Sequence, residues 1–284
     1  MQTRLGGTQK QVVIDGDAPF VIIGESINPT RRKRLIETLQ ARDFSYVEQL
    51  ARAQLDAGAD VLDINVGIAG GDEVVLLPAV VKFIAERFDV PLCLDSATPQ
   101  ALAAALEAAP GKALVNSVNG EDRSLDAVLP VVKHYGAAVI GLTIDGAGIP
   151  KDVAQRVAIA EKIIERAARL GIPAHDVIID PLAMAVSADD QAGVVTLQTI
   201  ETVRRAFGVN LTCGASNVSF GLPDRHTLNQ AFLVLAMARG VTCAITDPVK
   251  LAPSIRATDL MLGRDEYASR YIGYWRAHKP KVIA

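Results

Sequence analysis

Leu211-Thr-Cys-Gly-Ala-Ser-Asn-Val-Ser219 begins as an apolar run and stops abruptly in small and polar residues. Its pattern predicts a short buried strand over 210–214, with Asn217 just past the end and Ser219 and Arg225 beyond. Three earlier runs close in the same way: Leu92-Cys-Leu-Asp95, Ala113-Leu-Val-Asn116 and Val177-Ile-Ile-Asp180. Continuous apolar runs of this length suit strands buried on both faces, as in parallel sheets. Four such strands, each ending on a lone carboxylate or amide, gather polar groups at one rim of one barrel.

Outward from that stretch the same period repeats. Phe20-Val-Ile-Ile-Gly24 predicts a first strand that runs into Glu25-Ser26-Ile27-Asn28-Pro29. Further strands are expected over 60–64, 91–94, 112–115, 137–143, 176–179, 210–214 and 242–246. Helical patterns lie between and after them, over 45–57, 73–88, 99–108, 124–135, 152–170, 196–207, 227–239 and 254–262. Ser45, with Glu48 three residues on, matches a capping box, and Pro99 after Thr98 suits a helix start. Strands alternating with helices call for a parallel sheet with helical crossovers. Eight units in 284 residues favour a closed (β/α)8 barrel over an open doubly wound sheet. No Gly-rich phosphate fingerprint follows the first strand.

Gln11 to Asp15 alternates polar and apolar residues and predicts a short N-terminal hairpin or lid at the bottom of the barrel. Arg31-Arg-Lys-Arg34 is expected to be a solvated loop and helix start. Residues 265–279 place Tyr267, Tyr271, Tyr274 and Trp275 at helical spacing, an aromatic stripe expected to pack on the barrel or on a sister subunit. With no linker or low-complexity segment, residues 1–284 are expected to form a single domain, although two small domains would also fit the length.

The composition excludes several classes of function. A net charge of −3 gives no reason to expect nucleic acid or an anionic membrane as partner. No apolar run reaches the ~18 residues of a membrane span, and Met1 to Lys10 lacks the apolar core of a signal peptide. Cys93, Cys213 and Cys243 sit inside apolar runs, as thiols do in a reducing compartment. A cytoplasmic protein is expected. The four histidines show no ligand spacing, so no dedicated zinc site is expected.

The rim carries the chemistry. Barrel active sites form at the C-terminal ends of the strands. There the sequence places Glu25, Asn28, Asp63, Asn65, Asp95, Ser96, Asn116, Asp145, Asp180, Asn217 and Asp247. This set is rich in acids and amides and poor in cations. It has no strand-borne lysine and no His–Ser pair, which argues against Schiff-base aldolases and triad hydrolases. A flat heterocycle with adjacent N–H donors and a carbonyl, such as a pterin, fits it, because an ionised carboxylate accepts parallel hydrogen bonds from such an edge. A divalent metal held by Asp63, Asp95 and Asp180 is the rival reading, for which the amides are surplus.

Eight stretches taken together resemble the pterin-binding methyltransferases that exchange the methyl of 5-methyltetrahydrofolate with a corrinoid protein. They are Ile22-Ile-Gly-Glu-Ser-Ile-Asn28, Leu62-Asp-Ile-Asn-Val-Gly67, Leu92-Cys-Leu-Asp-Ser96, Asn116-Ser117, Ile140-Gly-Leu-Thr143, Gly148-Ile-Pro-Lys-Asp152, Ile179-Asp-Pro-Leu182 and Ser216-Asn-Val-Ser219. The likeness is to methyltetrahydrofolate:corrinoid/iron-sulfur protein methyltransferases and, more distantly, to the folate domain of cobalamin-dependent methionine synthase. It implies a dihydropteroate-synthase-like barrel and a homodimer that carries no corrinoid of its own, the cobalt arriving on a partner protein. It implies that Asp95, Asn116 and Asp180 hold the pterin ring of tetrahydrofolate or its methyl form. Asn217 falls where an amide meets N5, the catalytic contact. Arg225 matches a basic residue beyond it, and Asp63 and Ser219 complete the expected contacts. Two other readings stay open: a dihydropteroate synthase, whose Ser-Arg-Lys type segment is replaced here by Gly214-Ala-Ser-Asn-Val-Ser219, and a non-catalytic folate-binding subunit.

Overall fold

The computed structural model describes residues 1–278; Lys279, the last residue of the predicted terminal stripe, lies outside the described residues. The chain starts with an antiparallel hairpin, β1 (Thr3–Gly6) and β2 (Gln11–Ile14), with Leu5 opposite Val12 and Thr3 opposite Ile14. The apolar runs then become β3 (Val21–Ile27), β4 (Val61–Asn65), β5 (Leu92–Asp95), β6 (Leu114–Asn119), β7 (Ala138–Leu142), β8 (Val177–Asp180), β9 (Asn210–Leu211) and β10 (Cys243–Thr246). These eight are parallel neighbours in the order β10-β3-β4-β5-β6-β7-β8-β9.

The ring closes just beyond β9. Gly214 bridges Ile245, and the Ile245 N–H donates to the Cys213 carbonyl at 3.1 Å. The strand expected over 210–214 is therefore split: Asn210 and Leu211 pair with β8, and the next residues turn to β10. Strand β6 runs past Asn116 to Asn119, with its register shifted between Asn116 and Val118.

Helices α1 (Lys33–Gln40), α2 (Ser45–Asp56), α3 (Glu73–Ala85), α4 (Pro99–Ala108), α5 (Asp122–Tyr135), α6 (Val153–Arg169), α7 (Ala192–Phe207), α8 (Arg225–Arg239), α9 (Pro248–Met261) and α10 (Ser269–Ala277) complete the chain. Helix α1 goes beyond the expected helix start. Leu35 and Leu39, one turn apart, are its buried pair. The capping box at Ser45 does not form. Ser45 is already the first helical residue, after Phe44 at the cap position, and its N–H donates to the Asp43 carboxylate at 3.0 Å.

Strand alternation divides the core in two. Ile22, Leu62, Leu94, Val115, Val139 and Ile179 pack outward with the helices. Val21, Ile23, Val61, Cys93, Leu114, Ile140 and Ile178 point inward and meet Leu5, Val12 and Ile14 of the hairpin. The hairpin thus plugs the end of the barrel where the strands begin. It is tied down by the Gly6 N–H to the Lys112 carbonyl at 2.9 Å and by Asn210 Nδ2 to the Ile14 carbonyl at 2.8 Å. Ile14 has no exposed surface. Truncating it leaves a cavity, so Ile14→Ala is expected to lower the unfolding free energy by about 2–5 kcal/mol in a urea titration. A loss below about 1 kcal/mol would mean that the plug is not part of the core.

Candidate active site

Parallel register sets the strand ends side by side. Asn65 pairs with Asp95, Asp95 with Asn116, and Leu142 with Asp180. A cavity of about 790 Å³ opens over these ends. Asp63, Asp95, Asn116, Asp180, Asn217 and Arg225 all line it, together with Glu25, Asn28 and Asp247. Asp63 and Asp180 are nearly sealed from solvent, at 2% and 6% exposure, and form its floor. Asn217 is exposed on the turn beyond Gly214.

Amides and backbone, rather than cations, hold these carboxyls. Asn65 Nδ2 donates to Asp95 Oδ2 at 2.9 Å, and Asn116 Nδ2 to Asp63 Oδ1 at 3.3 Å. The Leu182 N–H donates to Asp180 Oδ1 at 2.7 Å. Loss of water dominates their titration. Burial pushes Asp180 up to about 6, against the backbone N–H groups of Leu182 and Gly214 and the charge of Arg156. Burial also raises Asp63, with Asp95 adding repulsion, and raises Asp95 itself. Glu25 is raised by burial and then by Asp247. Acceptors kept this short of partners suit a ligand that brings its own N–H donors.

Arg156 fixes the strand end that carries Asp180. From the first turn of α6 its buried guanidinium donates to the carbonyls of Pro181 at 2.7 Å and Leu182 at 2.9 Å, and its Nε to Pro150 at 2.8 Å. The Asn217 turn has a comparable brace. Arg225 donates through Nη2 to the Ser216 carbonyl at 2.6 Å and through Nε to Ser219 Oγ at 3.0 Å. Ser219 is wholly buried and does not line the cavity, so its hydroxyl meets Arg225 rather than the open space.

Three other rim residues also stand back from the cavity. Asn65 braces Asp95, Asp145 accepts the Ala147 N–H within its own turn, and Ser96 bonds to Glu73. The rim is less poor in cations than its sequence implies. Arg31, Arg32, His226 and Lys250 line the cavity, as do Phe220, Asn229 and Thr246. Thr246 Oγ1 and Asn229 Oδ1 are buried without a partner. Thr246 is the last residue of β10, where the strand-end rule reaches it. The loop residues carry no comparable signal, because their position depends on chain folded back over the rim. Among the described residues, no group of three or more His, Cys, Asp or Glu is placed to hold a metal ion.

Comparison with known proteins adds four findings. Residues 24–247 match the family model described as pterin binding enzyme. The chain is similar to the methylcorrinoid:tetrahydrofolate methyltransferase of Eubacterium limosum, with 33% identity over 92% of this chain and 97% of that one. It is also similar to the methionine synthase of Mycobacterium tuberculosis, with 32% identity over 84% of this chain and 21% of that longer protein. In fold, it superposes on dihydropteroate synthase of Xanthomonas albilineans with a TM-score of 0.71, at 22% identity over 92% of this chain and 99% of that one.

The titration of Asp180 sets a pH dependence of stability. Its folded value lies above the ordinary 3.8, so folding takes up a proton between 3.8 and about 6. The stabilisation is fully present below 3.8 and is lost as the pH rises through about 6. Asp180→Asn cannot ionise, so its Tm relative to the unmodified chain is expected to rise from pH ~4 to pH ~7. A difference that stays flat over that range in thermal melts would overturn this account.

Proposed function

The chain belongs to the pterin-binding enzymes, and on that premise we propose that it moves a methyl group between a protein-bound corrinoid and N5 of tetrahydrofolate. The observation that carries this reading is the convergence of Asp95, Asn116, Asp180 and Asn217 on one cavity floored by buried carboxyls. Asp180 and Asp95 accept the N–H edge of the pterin, Asn116 reads the remainder of the ring, and Asp63 holds Asn116 from below. Arg225 and Ser219 act through the Asn217 turn that they brace.

The corrinoid is a substrate carried by a partner protein; its cobalt keeps the carbon–cobalt electron pair when it yields the methyl and supplies that pair when it accepts one. In the direction for which the Eubacterium limosum relative is named, the N5 lone pair takes the methyl. The carbon–cobalt pair stays on cobalt, and N5 sheds its proton. In reverse, N5 leaves as a poor anion unless it is protonated or strongly hydrogen-bonded. Asn217 offers either its carbonyl oxygen or its NH2, so its amide can follow N5 through that change.

We place this activity in the cytoplasm, which suits three buried free thiols. We also propose that the chain works as a homodimer. Met261, Tyr267, Ile272 and Trp275, in and around α9 and α10, are 78%, 91%, 41% and 54% exposed, while Tyr274 alone of the aromatic stripe packs on the core. Sedimentation at micromolar concentration is expected to give a dimer that Trp275→Asp weakens, and a monomer at every concentration would reject it.

Asn217→Ala is expected to slow methyl transfer by about 100-fold while changing the folate Kd by less than about 3-fold. Asp180→Ala is expected to raise that Kd by about 10-fold or more. Rapid mixing of methyltetrahydrofolate with Co(I) cobalamin follows the first through loss of the Co(I) absorption band, and calorimetry reads the second. Equal effects of the two substitutions on both steps would remove the distinct role given to Asn217.

A further inference from the structure

The geometry points to a second subsite at the mouth of the cavity, built for the oligoanionic tail of a folate that carries more than one glutamate. The inference rests on the folate reading above. Arg31, Arg32 and Arg225 line the cavity, yet among the described residues none has a carboxylate within ion-pair reach. Their neighbours differ: Lys33 pairs with Glu37 at 3.8 Å and Lys250 with Asp247 at 2.9 Å. Three uncompensated guanidinium groups therefore stand above a floor of buried carboxyls.

Their placement is specific. The Arg31 and Arg225 guanidinium groups lie over the half-exposed Phe220 ring, 5.1 Å and 5.6 Å from its centroid. Arg31 adopts a φ of 60°, a left-handed backbone that residues with side chains rarely take, in the turn that leads into α1. Arg32 Nη1 donates to the Ser26 carbonyl at 2.7 Å, which ties this turn to the end of β3. A guanidinium stacked on an aromatic face keeps its N–H fork for bidentate contact with a carboxylate.

The charge pattern then selects the ligand. An acidic floor repels anions and accepts N–H groups, so a donor-rich head enters first. The mouth attracts negative charge. A single glutamate offers its α- and γ-carboxylates, and each further γ-linked glutamate adds one more net carboxylate. Arg225 is largely engaged with the Asn217 turn, so Arg31 and Arg32 are the cations with donors to spare.

The test compares three ligands by calorimetry at low salt: a tail-less tetrahydropterin, tetrahydrofolate monoglutamate and tetrahydrofolate triglutamate. The unmodified chain is expected to bind the triglutamate about 5-fold more tightly than the monoglutamate, the scale of one or two exposed ion pairs. In the double variant Arg31→Gln, Arg32→Gln that preference is expected to fall below about 2-fold, while Arg31→Lys, Arg32→Lys retains part of it. Equal affinity for the two folates in the unmodified chain, or a preference that survives the double Gln substitution, overturns the subsite. Failure of all three ligands to bind overturns the folate reading and the subsite together, whereas tetrahydropterin binding without a tail preference leaves the folate reading standing and removes only the subsite.

Discussion

Glu25, Asp63, Asp95 and Asp180 are carboxyls taken out of water with, among the described residues, no cation in direct contact. A buried ionised carboxylate costs free energy unless its oxygens are well satisfied, and these are satisfied only in part, by Asn65, Asn116, the Ser216 hydroxyl and the Leu182 and Gly214 N–H groups. The deficit is concentrated where a ligand with matching donors would remove it. The amides Asn65 and Asn116 each donate to one of these acids, an arrangement suited to a ligand that brings N–H groups of its own.

The barrel tolerates this arrangement because the rest of it is conventional. Parallel register places the strand ends level, and the apolar shell between strands and helices holds them there. The parts least fixed by register are held by two arginines, Arg156 buried and Arg225 exposed. Arg156 ties down the chain after β8, and Arg225 the turn after β9. Arg156 donates mainly to backbone carbonyls, and Arg225 to one carbonyl and the Ser219 hydroxyl, so they set geometry without a direct bond to the acids. That division leaves the acceptors open while keeping their positions narrow.

Much of this was legible in the residues themselves. A strand buried on both faces reads as an apolar run, and a polar residue closing such a run has one place to go in a closed barrel. Asp95, Asn116 and Asp180 follow directly. Ser219 does not, because two residues past Asn217 the chain turns inward and the hydroxyl meets Arg225. Ser45 does not cap because it is already the first helical residue, and the Asp43 carboxylate before it accepts its N–H. Arg31 and Arg32 read as solvent-facing charge. Only tertiary folding brings the turn before α1 beside Phe220, more than a hundred residues away, and no local period encodes that approach.

The hairpin of β1 and β2 has a consequence beyond stability. It corks one end of the barrel with Leu5, Val12 and Ile14, so among the described residues the chamber above Asp63 and Asp180 opens at the opposite end. A flat ring lying on that floor leaves only by the route through which it came. Any bulky protein settled over the doorway to reach the ring would at the same time shut it in.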